Sequence, residues 1–151
     1  MTEQIKFDET VSYLLAKVST AFRTSLERTM STIGLHSGQI FVLLELWKRD
    51  GLRQIDLATE LDLSPPTVNK TLTGLIDLGL VTRVRLEDDA RSTRIFLTER
   101  GAAARTQVEI QWHELEENCL TGLTETERMV LGDLLNKLRN NYTGRSDGDD
   151  D

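Results

Sequence analysis

Apolar residues recur at three- and four-residue intervals from about Asp8 to Ile33: Val11, Leu14, Leu15, Val18, Phe22, Leu26, Met30 and Ile33. That spacing lines them along one face of a long amphipathic helix, which Gly34 ends. A stripe of this length exceeds what a small domain can cover, so part of it is expected to pack on another subunit; folding back on its own domain is the alternative. Ser37 is placed to cap a second helix with Ile40, Phe41, Leu43, Leu44 and Trp47 as core positions, ending near Asp50-Gly51. A short helix over Gln54–Leu61 turns Ile55, Ala58 and Leu61 inward, and Asp62-Leu63 forms a turn. The next helix has a marked start. Ser64 is a good N-cap, and Pro65 suits a first helical position, where a missing N–H costs nothing. Val68, Leu72, Leu75 and Ile76 share the inner face, which leaves Pro66, Thr67, Lys70, Thr73 and Asp77 turned outward until Gly79 ends the helix.

After Gly79 the period changes from helix to strand. Leu80, Thr82, Val84 and Leu86 alternate with Val81, Arg83 and Arg85, and Thr93, Ile95 and Leu97 alternate with Arg94 and Phe96. This is a two-stranded hairpin whose tip, Glu87 to Arg91, is charged and lacks Gly, so it is a longer exposed loop and not a tight turn. Thr98 caps a third long helix carrying Ala104, Val108, Trp112, Leu115 and Cys119 on one side, closed by Leu123. Thr124-Glu125-Thr126-Glu127 is a capping box that opens a last helix with Val130, Leu131, Leu134, Leu135 and Leu138 on one face. The predicted fold is mainly α with a small β-wing (α+β): a winged helix-turn-helix with long N- and C-terminal dimerisation helices. One domain over 1–151 is expected, with helical dimerisation segments at 8–34 and 99–143, the winged helix-turn-helix at 37–98 and an acidic, disordered tail at 144–151.

Composition adjusts this picture. With 151 residues and 38% hydrophobic content, the chain can bury one real core. The first residues carry neither a basic n-region nor an apolar h-region, and no apolar run approaches bilayer length, so a cytoplasmic protein is expected. A single cysteine, Cys119, cannot form an internal disulfide, which fits a reducing compartment. The net charge of −7 counts against indiscriminate nucleic-acid binding. Part of it lies in the tail, where Arg145 faces Asp147, Asp149, Asp150 and Asp151. From Ser64 to Thr98, Lys70, Arg83, Arg85, Arg91 and Arg94 stand against Asp77, Glu87, Asp88 and Asp89, so binding of DNA requires the cations to be segregated on one side.

The tip and second strand, Asp89-Ala90-Arg91-Ser92-Thr93-Arg94-Ile95-Phe96-Leu97-Thr98 followed by Gly101, resemble the Asp-x-Arg-Ser wing signature running into Leu-Thr-x-x-Gly of the MarR (multiple antibiotic resistance regulator) family. Gly51-Leu52-Arg53-Gln54-Ile55-Asp56-Leu57-Ala58 is similar to that family's lead-in to the first helix of its helix-turn-helix, and Thr67-Val68-Asn69-Lys70 to its recognition helix. Arg53 stands where the family usually has a small hydroxyl residue, and Ile55 where it is usually polar. The resemblance implies a homodimeric, ligand-responsive repressor that puts a recognition helix in the major groove and a wing arginine in the minor groove of a pseudo-palindromic operator. On that reading Lys70 and Arg91 are the principal contacts. Asp89 can hold the Arg91 guanidinium through a bidentate pair. Ser64, Thr67 and Thr71 suit phosphate contacts near a helix N-terminus, Pro66 lies on the same outer face, and Asn69 is a base or phosphate contact. The resemblance also implies a small-molecule pocket between the dimer helices and the winged domain, lined by Phe22, His36 and Trp112; core packing explains the aromatic residues equally well.

Other chemistry has less support. There is no phosphate-cradling Gly loop, and His36 and His113 accompany no nucleophile in a recognisable pattern, so no enzyme and no cofactor are expected. Glu109 and His113 lie four apart on one helix, and with His36 and Cys119 they compose a set that suits zinc; a solvated pair on a charged helix is the plainer reading, and no metal is assigned. Cys119 falls on the apolar stripe and reads as a small buried hydrophobe. Two other functions stay open: a winged-helix protein-interaction module without DNA binding, and a metal-responsive regulator.

Overall fold

The computed structural model describes residues 3–86 and 92–143, in two compact units, residues 1–115 and 116–151. The first unit opens with a single 3-10 turn, Phe7–Glu9, ahead of α1 (Val11–Ser31). The helix starts later than the apolar spacing suggests because Thr10 caps it, its hydroxyl accepting from the Tyr13 N–H at 3.2 Å. Gly34, at φ +79, closes α1 by letting the Leu35 N–H reach back to the Met30 carbonyl. Only Leu26 and Met30 of α1 are buried. Val11, Leu14 and Val18 stay 72%, 53% and 57% exposed, so the N-terminal half of the stripe is left open by the described residues.

α2 (Ser37–Lys48) is capped at His36 and not at Ser37, because the Gln39 side chain reaches back to the His36 N–H at 2.9 Å. Its buried positions include Val42 and Leu46 with Ile40 and Leu43, whereas Phe41, Leu44 and Trp47 are only partly covered. A helix apolar almost all round gives its period little power to choose the inner face. The core gathers α2 with Leu26 and Met30 of α1, Val68, Leu72 and Leu75, and Val81, Ile95, Val108 and Leu115.

β1 (Leu52–Arg53), β2 (Val81–Arg85) and β3 (Thr93–Leu97) form an antiparallel sheet in the order β1-β3-β2, so three strands stand where the sequence indicates two. Leu52 pairs with Ile95 and Arg53 with Arg94, while β2 and β3 run in register from Val81↔Leu97 to Arg85↔Thr93. Two residues are too few to leave an alternating pattern. Asp50 secures the third strand: its Oδ1 accepts from the Gly51 N–H at 2.9 Å and from the Leu97 N–H at 2.8 Å.

α3 (Gln54–Glu60) and α4 (Pro65–Asp77) follow β1, and α5 (Glu99–Cys119) follows β3. The junction before α5 is tight. The Thr98 hydroxyl donates to the Gly79 carbonyl at 2.6 Å and accepts from the Gly101 N–H at 3.0 Å, and the Thr98 N–H donates to the Leu80 carbonyl. Trp47 Nε1–H donates to the Gly101 carbonyl at 3.0 Å, which fixes α2 to the first turn of α5.

In the second unit the capping box of α6 (Glu125–Thr143) forms as read from the sequence: the Thr124 N–H donates to Glu127 at 3.0 Å and the Glu127 N–H to the Thr124 hydroxyl at 3.2 Å. Those bonds hold the Glu127 carboxyl below its ordinary range. No residue of α6 is buried, and Val130, Leu134 and Leu135 are exposed. Cys119 is exposed too, against the expectation of a buried thiol, because the buried stripe of α5 stops at Leu115. No helix among the described residues is long and apolar enough to cross a membrane.

Candidate nucleic-acid interface

The turn between α3 and α4 is made by Asp62, whose φ of +51 lets the Leu63 N–H return to the Ala58 carbonyl at 3.0 Å. Aspartate tolerates this left-handed conformation better than most residues. Ser64 then caps α4, accepting from the Thr67 N–H at 3.4 Å with the two hydroxyl oxygens 2.8 Å apart. Pro65 and Pro66 have no N–H, and that of Thr67 is used by the cap. A phosphate at this helix end therefore meets the hydroxyls of Ser64 and Thr67 and not a ring of backbone donors. Val68, Leu72 and Leu75 are completely buried, each contributing roughly 1.5–3 kcal/mol, which fixes the rotation of α4. The opposite face presents Pro66, Thr67, Lys70, Thr73 and Asp77 to solvent, in agreement with the spacing, and Asn69 is exposed beside them. Thr71 is half-buried on the side towards α2, its hydroxyl donating to the Thr67 carbonyl at 3.0 Å.

The strands add two arginines that sequence reasoning did not assign to the site. Cross-strand pairing puts Arg83 opposite Ile95 and Arg85 opposite Thr93, so they continue the face that begins with buried Val81. Arg83 Nη2 donates to Asn69 Oδ1 at 3.1 Å, tying the wing to α4. Between these elements runs a groove of about 870 Å³, lined by Ile55, Ala58, Leu63 and Val68 on its apolar side and by Asn69, Arg83 and Arg85 on its polar side. Ile55 belongs to this groove and is 40% exposed; Leu57, not Ile55, is the completely buried residue of α3. In a helix of seven residues one step of phase decides which side chain faces the core. The register of β2 against β3 is what would have revealed Arg83 and Arg85.

Arg53 stands at the N-cap of α3, but its side chain makes no cap bond. Its guanidinium makes a bidentate pair with Asp56, Nε to Oδ2 at 2.9 Å and Nη2 to Oδ1 at 3.1 Å, which pins the first turn of α3 from outside. The pair lowers the Asp56 pKa and raises that of Arg53. The other wing residues named from the sequence, Asp89 and Arg91, lie outside the described residues, as does the tail 144–151.

The three residues assigned to a ligand pocket fall in two places. Phe22 and Trp112 meet edge-on, ring centroids 5.9 Å apart, and Phe41 closes on Trp112 at 6.5 Å, all three packed against the core. His36 is exposed, its Nδ1 2.7 Å from Glu27 Oε1. Glu27 Oε2 accepts from the Ser37 N–H at 2.7 Å, and these bonds, that to His36 first, hold the Glu27 pKa down to about 2. Glu109 is paired with Arg105 at 2.6 Å, and no three His, Cys, Asp or Glu residues among those described cluster as a metal site.

Residues 35–93, the stretch from the second helix to the far strand of the wing, match the MarR family. The chain belongs to the MarR family. Among its relatives is the HTH-type transcriptional repressor Rv2887 of Mycobacterium tuberculosis, 28% identical over 131 residues that cover 87% of this chain and 94% of the relative. The crystal structure of that MarR family protein in complex with DNA superposes with a TM-score of 0.74 at 26% identity, covering 87% of this chain and 98% of the other. The structure of transcriptional regulator PA3341 is 31% identical, with a TM-score of 0.76, over 90% of this chain and all of the other. Like these relatives, this protein is a transcription regulator, and its fold is a winged helix-turn-helix.

Proposed function

We propose that this MarR protein is a homodimeric, ligand-responsive repressor that binds a pseudo-palindromic operator, with α4 in the major groove and the wing in the minor groove. The observation that carries the reading is the division of α4, with Val68, Leu72 and Leu75 sealed in the core and Pro66, Thr67, Asn69 and Lys70 open to solvent beside Arg83. A helix with short polar groups and one cation on its free face can lie close to base edges. Ser64, Thr67 and Thr71 serve phosphates, Lys70 and Asn69 reach bases or phosphates, and Arg91, steadied by Asp89, enters the minor groove. The DNA complex of the Mycobacterium tuberculosis relative supports the same partner here.

Dimerisation rests on the uncovered apolar faces. Val11, Leu14 and Val18 of α1, and Val130, Leu134 and Leu135 of α6, cost free energy in water that a second copy removes. Two half-sites about one helical turn apart follow from a twofold axis. An effector that changes the spacing of the two recognition helices weakens both half-sites together. The protein works in the cytoplasm, where its operator is.

The test is anisotropy titration of the protein against DNA from its own promoter at two salt concentrations. Specific binding with a steep salt dependence is the expected result. Absence of binding, or binding indifferent to salt, overturns the reading and favours a protein-interaction module.

A further inference from the structure

The bond between Arg83 and Asn69 settles more than the attachment of the wing. An arginine side chain has donors only, so the group 3.1 Å from Arg83 Nη2 must be the Asn69 carbonyl oxygen, and the amide cannot be turned the other way round. Both side chains are exposed, and Asn69 lies on the same open face of α4 as Pro66, Thr67 and Lys70. Arg83 is carried by β2 and points to α4 because its neighbours on that face, Val81 and Ile95, are buried in the core.

A free asparagine reads adenine by accepting from N6 and donating to N7 at once. Here the accepting half is already engaged by a cation. The N6 amino group of adenine carries its own donor protons, and the guanidinium beside Oδ1 repels it. What the pair offers a base edge is donors: the Asn69 amide N–H groups and the remaining N–H groups of Arg83. Guanine answers that pattern, because its major-groove edge carries two acceptors, N7 and O6. We infer that Arg83 is a positioning residue that sets the base preference of Asn69, turning an adenine-reading side chain into part of a guanine-reading pair. The inference rests on α4 being the helix that reads the major groove.

The experiment is selection of bound duplexes from a random pool with the wild-type protein, Asn69→Ala, Arg83→Ala and Arg83→Lys, each compared at every position of the half-site. The wild type is expected to select guanine at one position of each half-site, and Asn69→Ala to lose that preference. Arg83→Ala should move the same position to adenine, with the ratio of adenine to guanine rising about tenfold or more, as a freed bidentate contact allows. Arg83→Lys, which keeps a donor and a charge, should hold guanine in part. The bond lies on the surface, so circular dichroism melts should show the variants folded.

If Asn69→Ala changes the preference and Arg83→Ala leaves guanine selected as before, the inference is overturned while the groove reading survives. A uniform loss of affinity in Arg83→Ala without a change of base overturns it equally, and makes Arg83 a phosphate contact. No selected sequence for the wild type removes the DNA reading together with the inference.

Discussion

Gly101 packs its Cα directly against the backbone of Leu80, so closely that a Cβ at Gly101 would overlap the Leu80 carbonyl oxygen and stand 2.9 Å from its carbonyl carbon. Backbone cannot swing aside as a side chain can. The Gly101→Ala variant should therefore lose at least ~2 kcal/mol of stability, the upper part of the range for overpacking. Urea unfolding followed by far-ultraviolet circular dichroism measures this, and a midpoint equal to that of the wild type would show that the junction yields.

Glu27 links α1 to the start of α2 through its bonds to His36 and to the Ser37 N–H. Its carboxyl, ordinarily near 4.5, is held down to about 2, so the folded state favours the charged form. The stability this supplies is complete above about 4.5 and is lost as the pH falls towards about 2. Glu27→Gln should unfold more easily than the wild type at pH 7, with the difference shrinking as the buffer is taken from pH 5 to pH 3. A gap in urea midpoint that stays constant across that range would sink this assignment.

Lys70 is the cation on the open face of α4. Lys70→Ala should cost about 1–3 kcal/mol of specific affinity, and Arg91→Ala should weaken binding most on A·T-rich flanks. Anisotropy titrations on a selected operator and on a G·C-flanked version of it separate the two effects. Equal affinity for wild type and both variants would remove these residues from the interface.

The exposed half of the α1 stripe makes a second surface testable. Leu14→Glu and Val18→Glu together put two charges into a face that a partner must desolvate, at a cost of several kcal/mol. Sedimentation velocity should find a dimer for the wild type and a monomer for the double variant, with helical content retained. A double variant that still sediments as a dimer would move the interface elsewhere.

What could be read from the sequence was what local chemistry declares. Ser64 and Pro65, Gly79 and the Thr124–Glu127 box each mark an end through groups within three or four residues, and the structure has its boundaries there. Features that depend on distant partners were less visible. Leu52 and Arg53 become a strand only because Ile95 and Arg94 pair with them, and His36 takes the cap from Ser37 because Gln39 and Glu27 both serve that turn. The spacing places Lys70 on the outer face of α4, whereas Asn69 is named only by the family resemblance. Arg83 joined them only once the hairpin register and the 3.1 Å bond to Asn69 were known.

Thr98 holds Gly79 and Gly101 through its hydroxyl, Leu80 through its amide and Ala102 through its carbonyl. The exit of the recognition helix, the root of the hairpin and the first turn of α5 are thus riveted at one residue. A tilt imposed on the first turn of α5 is therefore handed by three hydrogen bonds to the end of α4 and the base of the hairpin together, as a lever acts about its fulcrum.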